Sequence, residues 1–568
     1  MHLLKTTFAA ALLFIAACST LPETTERHPA AVAAPDAYSA AVAADVLSNG
    51  GNAVDAAVAV GFSLAVTLPE AGNIGGGGFM LLHFDGKADF IDYRERAPLA
   101  AHRDMYLDAE GNVIKGASTI GHLAAGVPGA VAGLWAAHQR YGRLPWKDVL
   151  APAIRLARDG FDVHAILAQN VARVEPRFAD KTNFGDYFGG LQAGDVHVQE
   201  ELARTLERIA EQGPDGFYKG ETADLIVAEM KRGEGLISHR DLAEYTPVWR
   251  EPLRADWRGL ELLSSPPPSS GGFAVVQLLK MKDYLAREFE GLAHNSAQYV
   301  HLVAEMEKRV FADRAEYLGD PDFTDNRMDE LLDEDYLKAR AAEVKPNEIS
   351  TILEATPGLE SYETTHYSIM DHDGNAAAIT TTLNLGFGSG VVVEGAGFLL
   401  NDEMDDFSVK PGVPNAFGVV GFKANEIQPG KRMLSSMSPT MLVRDGEVEL
   451  VIGTPGGSTI FTTVFQAIAS IYDYGMTPLE AAGASRFHHQ LLPPDRITYS
   501  PNVPLPEETI SALGDMGYRV IPHSYPYGDL QIVFDNANGV QAASDPRKRG
   551  ESRILSADGK PDGVADVN

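Results

Sequence analysis

A hairpin between residues 364 and 384 would bring two threonine hydroxyls together, and this is the first sign of chemistry in the sequence. Thr364-Thr365-His366-Tyr367-Ser368 reads as the start of a strand, His372-Asp373-Gly374 as a turn, and Ala376 to Asn384 as the return. A three-residue loop with Gly374 in the left-handed position of a bulge sets Thr382 opposite Thr364. Threonine is also a favoured strand residue and Thr-Thr pairs stabilise ordinary sheets, so the pair takes its meaning from its surroundings. A second element, Thr454-Pro455-Gly456-Gly457-Ser458, stands between a strand-like stretch, Glu447 to Gly453, and a helical pattern through Tyr474. The N-H groups of Gly456 and Gly457 at a helix N-terminus can face a developing oxyanion, although a plain strand-to-helix turn uses the same residues. A third cluster, Asn401-Asp402-Glu403-Met404-Asp405-Asp406, supplies acceptors for an ammonium group, while Arg94, Ser435 and Ser436 suit a carboxylate. An amino-acid head group needs both signs. In other company the same residues would form a solvated loop and a surface ion-pair strand. His488 and His489 are neighbours that point to opposite faces of a strand, which suits a structural role better than a shared metal.

These groups need a scaffold. Ala37 to Leu47 reads as a helix broken at Asn49-Gly50-Gly51, and Asn52 is a natural N-cap for a second helix from Ala53 to Val66. Gly75 to Gly78 leads into a strand from Phe79 to Phe84; without a following Gly-Lys-Ser/Thr it reads as a close backbone turn, not a phosphate loop. From about 127 to 345 the pattern is helices separated by turns, and Pro266 to Gly272 has the composition of a linker. From Thr364 the texture becomes β-rich, with Asp373-Gly374 and Asp445-Gly446 as hairpin turns.

The chain of 568 residues can organise one large domain or two interlocked ones. Its net charge of -31, with no basic stripe, argues against nucleic-acid partners and otherwise reads as solubility. Lys5 precedes an apolar run from Phe8 to Ala17 that is too short to span a bilayer and suits a signal-peptide core. Cys18, the sole cysteine, follows Ile15-Ala16-Ala17 and resembles the lipobox of bacterial lipoproteins; the plainer alternative is a secretory signal with a chance cysteine. Residues 1–18 are thus expected to be a lipoprotein-like signal and 19–36 a tether, with the folded part beginning near Ala37. No cysteine remains for disulfides, zinc thiolates or thiol catalysis.

Taken together the motifs resemble the γ-glutamyltransferases of the N-terminal-nucleophile hydrolase superfamily. The resemblance rests on Gly50-Gly51-Asn52-Ala53-Val54-Asp55-Ala56-Ala57, Gly75 to Met80, Arg94-Glu95 with Ala97-Pro98, Val127-Pro128-Gly129, and Pro266 to Gly272. It continues through Thr364 to Ser368, Met404 to Ser408, Leu434 to Thr440 and Pro455 to Ser458. It implies an α/β (α+β) fold, a four-layer αββα sandwich, with a large subunit (37–363) and a small one (364–568) cut from one precursor and interwoven as one domain. The Pro266 segment then lies inside that domain. The resemblance further implies cleavage between Glu363 and Thr364, leaving Thr364 as nucleophile with Thr382 in support and Gly456 and Gly457 holding the oxyanion. A free α-amino group has a pKa of about 7.7 to 8.0, so it can serve as the base for its own hydroxyl, and neither cofactor nor metal is implied. Arg94, Ser435 and Ser436 resemble the clamp for the substrate α-carboxylate; Asn384, Glu403 and Asp406 resemble the clamp for its α-amino group. The implied partners are glutathione and other γ-glutamyl donors, with amino acids, peptides or water as acceptors, and the implied location is periplasmic, lipid-anchored to a bacterial membrane. Two features depart from the pattern. Phe417 stands in the lid loop, Pro411 to Gly421, where many bacterial members have a tyrosine, and it lacks that residue's hydroxyl. Residues after about Gly550 extend past the usual end and read as a mobile polar tail. A glutaryl-amide acylase of the same fold is the nearest rival, but a glutaryl group has no ammonium and would leave Asp406 uncompensated. An inactive surface binding protein would need neither nucleophile nor oxyanion glycines. A serine hydrolase is unsupported: the sequence has no Gly-x-Ser-x-Gly elbow and no Ser-x-x-Lys pair.

Overall fold

The computed structural model describes residues 28–352, 364–557 and the backbone of 561–564. Cys18, the signal segment and Glu363 lie outside the described residues. Two antiparallel sheets face each other. The larger has eight strands, in the order Pro561–Val564, Glu551–Leu555, Ala30–Ala34, Thr365–Met370, Ala376–Thr382, Gly77–Phe84, Lys87–Asp92, Val248–Arg250. The smaller has six, in the order Gly539–Ser544, Gln531–Asn536, Glu447–Gly453, Thr440–Arg444, Leu260–Ser264, Leu253–Trp257. Side-chain alternation explains the layering. In Gly77–Phe84, Phe79 and Leu81 face the other sheet, while Met80, Leu82 and Phe84 face helices that include Ala53–Thr67 and Trp146–Asp159. On the far side, Gly271–Tyr284, Ala297–Tyr317 and Ile460–Tyr474 cover the smaller sheet through a core that includes Phe273, Val303 and Phe465. The result is the expected sequence of layers: helices, sheet, sheet, helices.

Small side chains allow this density. Helix Ala53–Thr67 is buried along its whole length and starts at a capping box in which Asn52 and Asp55 bond each other's backbone N-H groups. The glycine run behaves as the close turn expected of it. A Cβ on Gly75, Gly76, Gly77 or Gly78 would fall within 2.5 Å of a backbone oxygen of a neighbouring segment. Pro266 to Gly272 is no linker. Ser435 N donates to Pro268 O and Ser270 N donates to Ser435 O, each at 2.8 Å, stitching this loop to the residues around Ser435.

Three expectations need correction. Residues 30–34, assigned to the tether, form a buried strand between Thr365–Met370 and Glu551–Leu555. An Ala-Ala-Val-Ala-Ala run carries no amphipathic alternation because both of its faces are covered. The polar tail contributes Glu551–Leu555 to the same sheet, with Leu555 buried, and this pairing protects the edge that Ala30–Ala34 would otherwise present. Within the supposedly helical middle, Leu253–Trp257 and Leu260–Ser264 form a hairpin turning at Arg258-Gly259.

His366 sits between the sheets, against Gly453, where any Cβ would lie 2.3 Å from the ring. Its Nε2-H donates to Ser368 Oγ at 3.1 Å and its Nδ1 accepts from Thr380 at 2.8 Å, while the Ser368 hydroxyl is committed to Gln531 O. Burial pushes its pKa down to about 3. Burial, aided by Lys308, does the same to His489, whose Nε2 donates to Pro494 O. Both rings serve as neutral parts of the interior. Their unfolded pKa is about 6.5, so the stability they confer is complete above that value and is lost as pH falls from 6.5 toward 3. We predict that His366→Gln lessens the dependence of stability on pH, by about 0.7 kcal/mol per pH unit at pH 6.5 rising to about 1.4 near pH 5, whatever its effect on stability at pH 8. Melting temperatures of both proteins across that range test this, and parallel curves would contradict it.

Candidate active site

The hairpin turn sets the register of the site. Asp371 N donates to Asn375 O at 2.9 Å, closing a three-residue loop in which Gly374 has φ of 78°. The Asp371 carboxylate accepts the N-H of Ala53 at 3.0 Å, tying the turn to a helix start, and accepts the N-H groups of Asp373 and Asn375. From Ala376 opposite Met370 the pairing runs to Thr381 opposite Thr365. One step further, Thr364 Oγ1 lies 3.2 Å from Thr382 Oγ1, as the loop length implied. Asn73 braces this strand end, donating to Thr382 O at 2.8 Å. Thr382 Oγ1 accepts the N-H of Asn384 at 2.8 Å, and a hydroxyl engaged this way remains able to donate its own proton. Asn384 takes a left-handed φ of 80°, and its Nδ2 donates to Asp402 O at 2.9 Å. The neutral His366 of the same strand is fully engaged elsewhere and offers Thr364 no base.

Across the cleft, strand Glu447–Gly453 delivers the chain to Gly456 (φ 142°) and Gly457 (φ 54°), both in backbone regions that side chains avoid. Space excludes them as well. A Cβ on Gly456 would be 2.4 Å from Thr459 Oγ1, and one on Gly457 2.4 Å from the Phe417 ring. Phe417 therefore lies directly on the turn at Gly456 and Gly457, and backbone contacts hold its loop in place. Gln490 Nε2 donates to Phe417 O at 3.1 Å, and Ala416 N donates to Asp405 Oδ2 at 2.8 Å. Gln490 is itself oriented by the Ser458 hydroxyl, donating to its Oε1 at 2.7 Å, and by His488 Nε2 at 3.0 Å. His488 thus has a structural hydrogen-bonding role.

Between these two walls lies a cavity of about 20 Å³, lined by Thr364, Thr382 and Gly457 and by all six residues assigned to the head-group clamps. Arg94, Asn384, Glu403, Asp406, Ser435 and Ser436 therefore converge on one place. Arg94 Nη1 donates to Glu403 and Nη2 to Asp406, while its Nε donates to Met433 O at 3.3 Å. Arg94 and these two carboxylates thus neutralise each other. Burial alone would lower the pKa of Arg94, but Glu403, Asp406 and Glu95 around it raise it. Burial raises Glu403 and Asp406, with Arg94 opposing the shift. Burial also brings Glu95, 3.6 Å from Arg94, up to about 7. Further lining residues that sequence reading did not assign to the site include Asn415 and Arg314, the latter from helix Ala297–Tyr317. Arg314 is one of several buried charges on a helix that also carries Glu305, Lys308 and Arg309, a density that ordinarily marks an exposed face.

On its other side Thr364 borders a cavity of about 690 Å³, shared with Gly456 and lined also by Asn170, Arg173 and Tyr525. Thr364 thus stands between a tight site bearing both charges and a roomy one. Such a division could serve acyl transfer, with the acyl group held on one side and the leaving or incoming amine on the other. Among the described residues no group of three or more His, Cys, Asp and Glu side chains could hold a metal ion.

A sequence profile described as gamma-glutamyltranspeptidase matches residues 39–555. The chain is 57% identical over 541 residues to the glutathione hydrolase proenzyme of Pseudomonas aeruginosa, covering 95% of this chain and 97% of that one. It is 46% identical to the Escherichia coli protein of the same description, covering 91% and 90%. Among solved structures, a cephalosporin acylase from Bacillus halodurans superimposes with a TM-score of 0.80 at 26% identity, over 95% of this chain and 99% of that one. A γ-glutamyltranspeptidase chain from Pseudomonas nitroreducens is 56% identical, with a TM-score of 0.56 over 56% of this chain and 95% of that one.

Proposed function

The chain belongs to the γ-glutamyltranspeptidase family, and we infer from that footing how it works as a glutathione hydrolase and γ-glutamyl transferase. One observation carries the assignment of roles: the Thr364 hydroxyl borders a buried pocket that holds a cation and carboxylates together and, on its other side, an open cavity.

In the precursor, Thr364 Oγ attacks the carbonyl of Glu363, the peptide nitrogen leaves as the new α-amine, and water hydrolyses the ester so formed. The designation of the relatives as proenzymes supports such processing, and residues 37–363 and 364–568 then become large and small subunits of one interwoven domain. In the mature enzyme the α-amine of Thr364 takes the proton from Oγ as Oγ adds to the γ-glutamyl carbonyl. The Gly456 and Gly457 N-H groups meet the oxyanion, and Thr382 holds Oγ in line. The leaving amine receives the proton from the ammonium as the C-N bond breaks, giving a γ-glutamyl ester. Water attacking the ester completes hydrolysis; an amino acid or peptide amine completes transfer. Arg94, Ser435 and Ser436 hold the donor α-carboxylate, and Asn384, Glu403 and Asp406 its α-ammonium. Binding therefore exchanges the internal Arg94–Asp406 pair for two pairs with the head group.

The likeness to a cephalosporin acylase favours a second reading, a glutaryl-amide acylase. Two carboxylates converging on the pocket count against it, because a glutaryl group brings no ammonium for them. Export with lipid attachment at Cys18 is the third part of the proposal, supported by the lipobox-like Ile15-Ala16-Ala17-Cys18. Among the described residues no helix is long and apolar enough to cross a membrane.

Two outcomes are expected. Purified wild type gives two fragments, the smaller beginning at Thr364 by N-terminal sequencing, and Thr364→Ala gives one uncut, inactive chain; efficient cleavage of Thr364→Ala would remove Thr364 from its role. Cys18→Ser abolishes lipid labelling and moves the enzyme from the membrane to the soluble fraction with its kcat unchanged; wild type that carries no lipid would refute the anchor.

A further inference from the structure

Arg314 projects from helix Ala297–Tyr317 into the head-group cavity, on which it is a lining residue. Five arginines of the described residues are buried: Arg94, Arg309, Arg314, Arg432 and Arg486. Four have a carboxylate within ion-pair distance. Arg94 meets Glu403 and Asp406, Arg309 meets Glu305 at 3.1 Å, Arg432 meets Asp92 at 3.4 Å and Arg486 meets Asp545 at 2.7 Å. Arg314 has none among the described residues. Its Nε donates to Ser270 Oγ at 3.0 Å and its Nη2 to Ser436 Oγ at 3.3 Å. A buried guanidinium hydrogen-bonded to two hydroxyls, with Asp406 acting on it only from beyond ion-pair distance, is poorly compensated, an arrangement that folding alone disfavours.

We propose that Arg314 is the second cation of the head-group site, and that the anion it lacks is the α-carboxylate of the bound donor, received between Arg314, Arg94 and the hydroxyls of Ser435 and Ser436. This rests on the γ-glutamyl reading of the pocket and deepens it. The charges match: Arg94 and Arg314 stand against Glu403 and Asp406, so a zwitterionic head group can enter with each of its charges meeting its opposite. A planar fork also suits the ligand, since guanidinium and carboxylate pair through parallel hydrogen bonds. Burial lowers the pKa of Arg314 to about 10, with Asp406 opposing and Arg94 adding to the shift, so the group is still charged at neutral pH. A purely structural role, holding Ser270 and Ser436 in place, would make no distinction between donors with and without an α-carboxylate.

The test compares three anilide donors on the processed enzyme: γ-glutamyl, 4-aminobutanoyl (no α-carboxylate) and glutaryl (no α-ammonium). Arg314→Met should raise KM for the γ-glutamyl donor by roughly 30-fold or more, the penalty for unpairing a buried charge, and change kcat/KM of the 4-aminobutanoyl donor by no more than about two-fold. Arg314→Lys keeps the charge without the fork and should fall between. Equal losses on both donors, or a γ-glutamyl to 4-aminobutanoyl ratio unmoved in either variant, would overturn the role of Arg314. Should Arg314→Met fail to self-cleave, the ratio measured in Arg314→Lys decides by the same criterion. Wild type with no preference for γ-glutamyl over the other two donors would instead overturn the proposed function, and this inference with it.

Discussion

The register of one hairpin is the constraint on which the site depends. Closing the loop at Asp371 and Asn375 decides that Thr364 and Thr382 share a face at the strand end, and a slip of one residue would turn one of them into the helix layer. The protein secures this register from several sides. Asp371 reaches the start of helix Ala53–Thr67, Asn73 holds the backbone of Thr382, and the side-chain-free run from Gly75 lets the next strand approach. Because the hairpin lies in the middle of the larger sheet, paired on both sides, its strands are held far more firmly than a surface loop could be.

Against this rigid wall the other components are electrostatic. The pocket beside Thr364 gathers Arg94, Arg314, Glu403 and Asp406, an arrangement that detracts from folding stability and is explicable by the proposed function. Internal pairing of Arg94 with Glu403 and Asp406 limits that cost. The loop from Pro411 to Gly421 packs over this pocket, which Asn415, Phe417 and Val419 help to line. Its tip is held by backbone groups, through Gln490 and Asp405, so the ring of Phe417 can rest on Gly457 without needing a hydroxyl of its own.

Much of this was legible in the sequence, for identifiable reasons. The Asn52 cap, the Gly374 bulge and the glycine pair at 456 and 457 are local signals, since each residue type answers a local backbone requirement. The layered fold and the specific choice of Asn384, Glu403 and Asp406 came from family resemblance, and their convergence with Arg94, Ser435 and Ser436 required the tertiary structure. What escaped detection depends on long-range burial. Ala30–Ala34 shows no alternation because it is covered on both faces, and Glu551–Leu555 pairs along its length with residues more than five hundred positions earlier. Arg314 and Gln490 have unremarkable neighbours in sequence; their significance lies in what surrounds them in space.

The central claim is that Thr364, between the two cavities, carries the acyl group. The most direct test is mass spectrometry of enzyme quenched in acid during turnover of a γ-glutamyl anilide, with fragmentation of the small subunit. The account predicts a hydroxylamine-sensitive γ-glutamyl ester on Thr364. An adduct on any other residue, or full turnover with no ester at Thr364 under conditions where deacylation limits the rate, would contradict it.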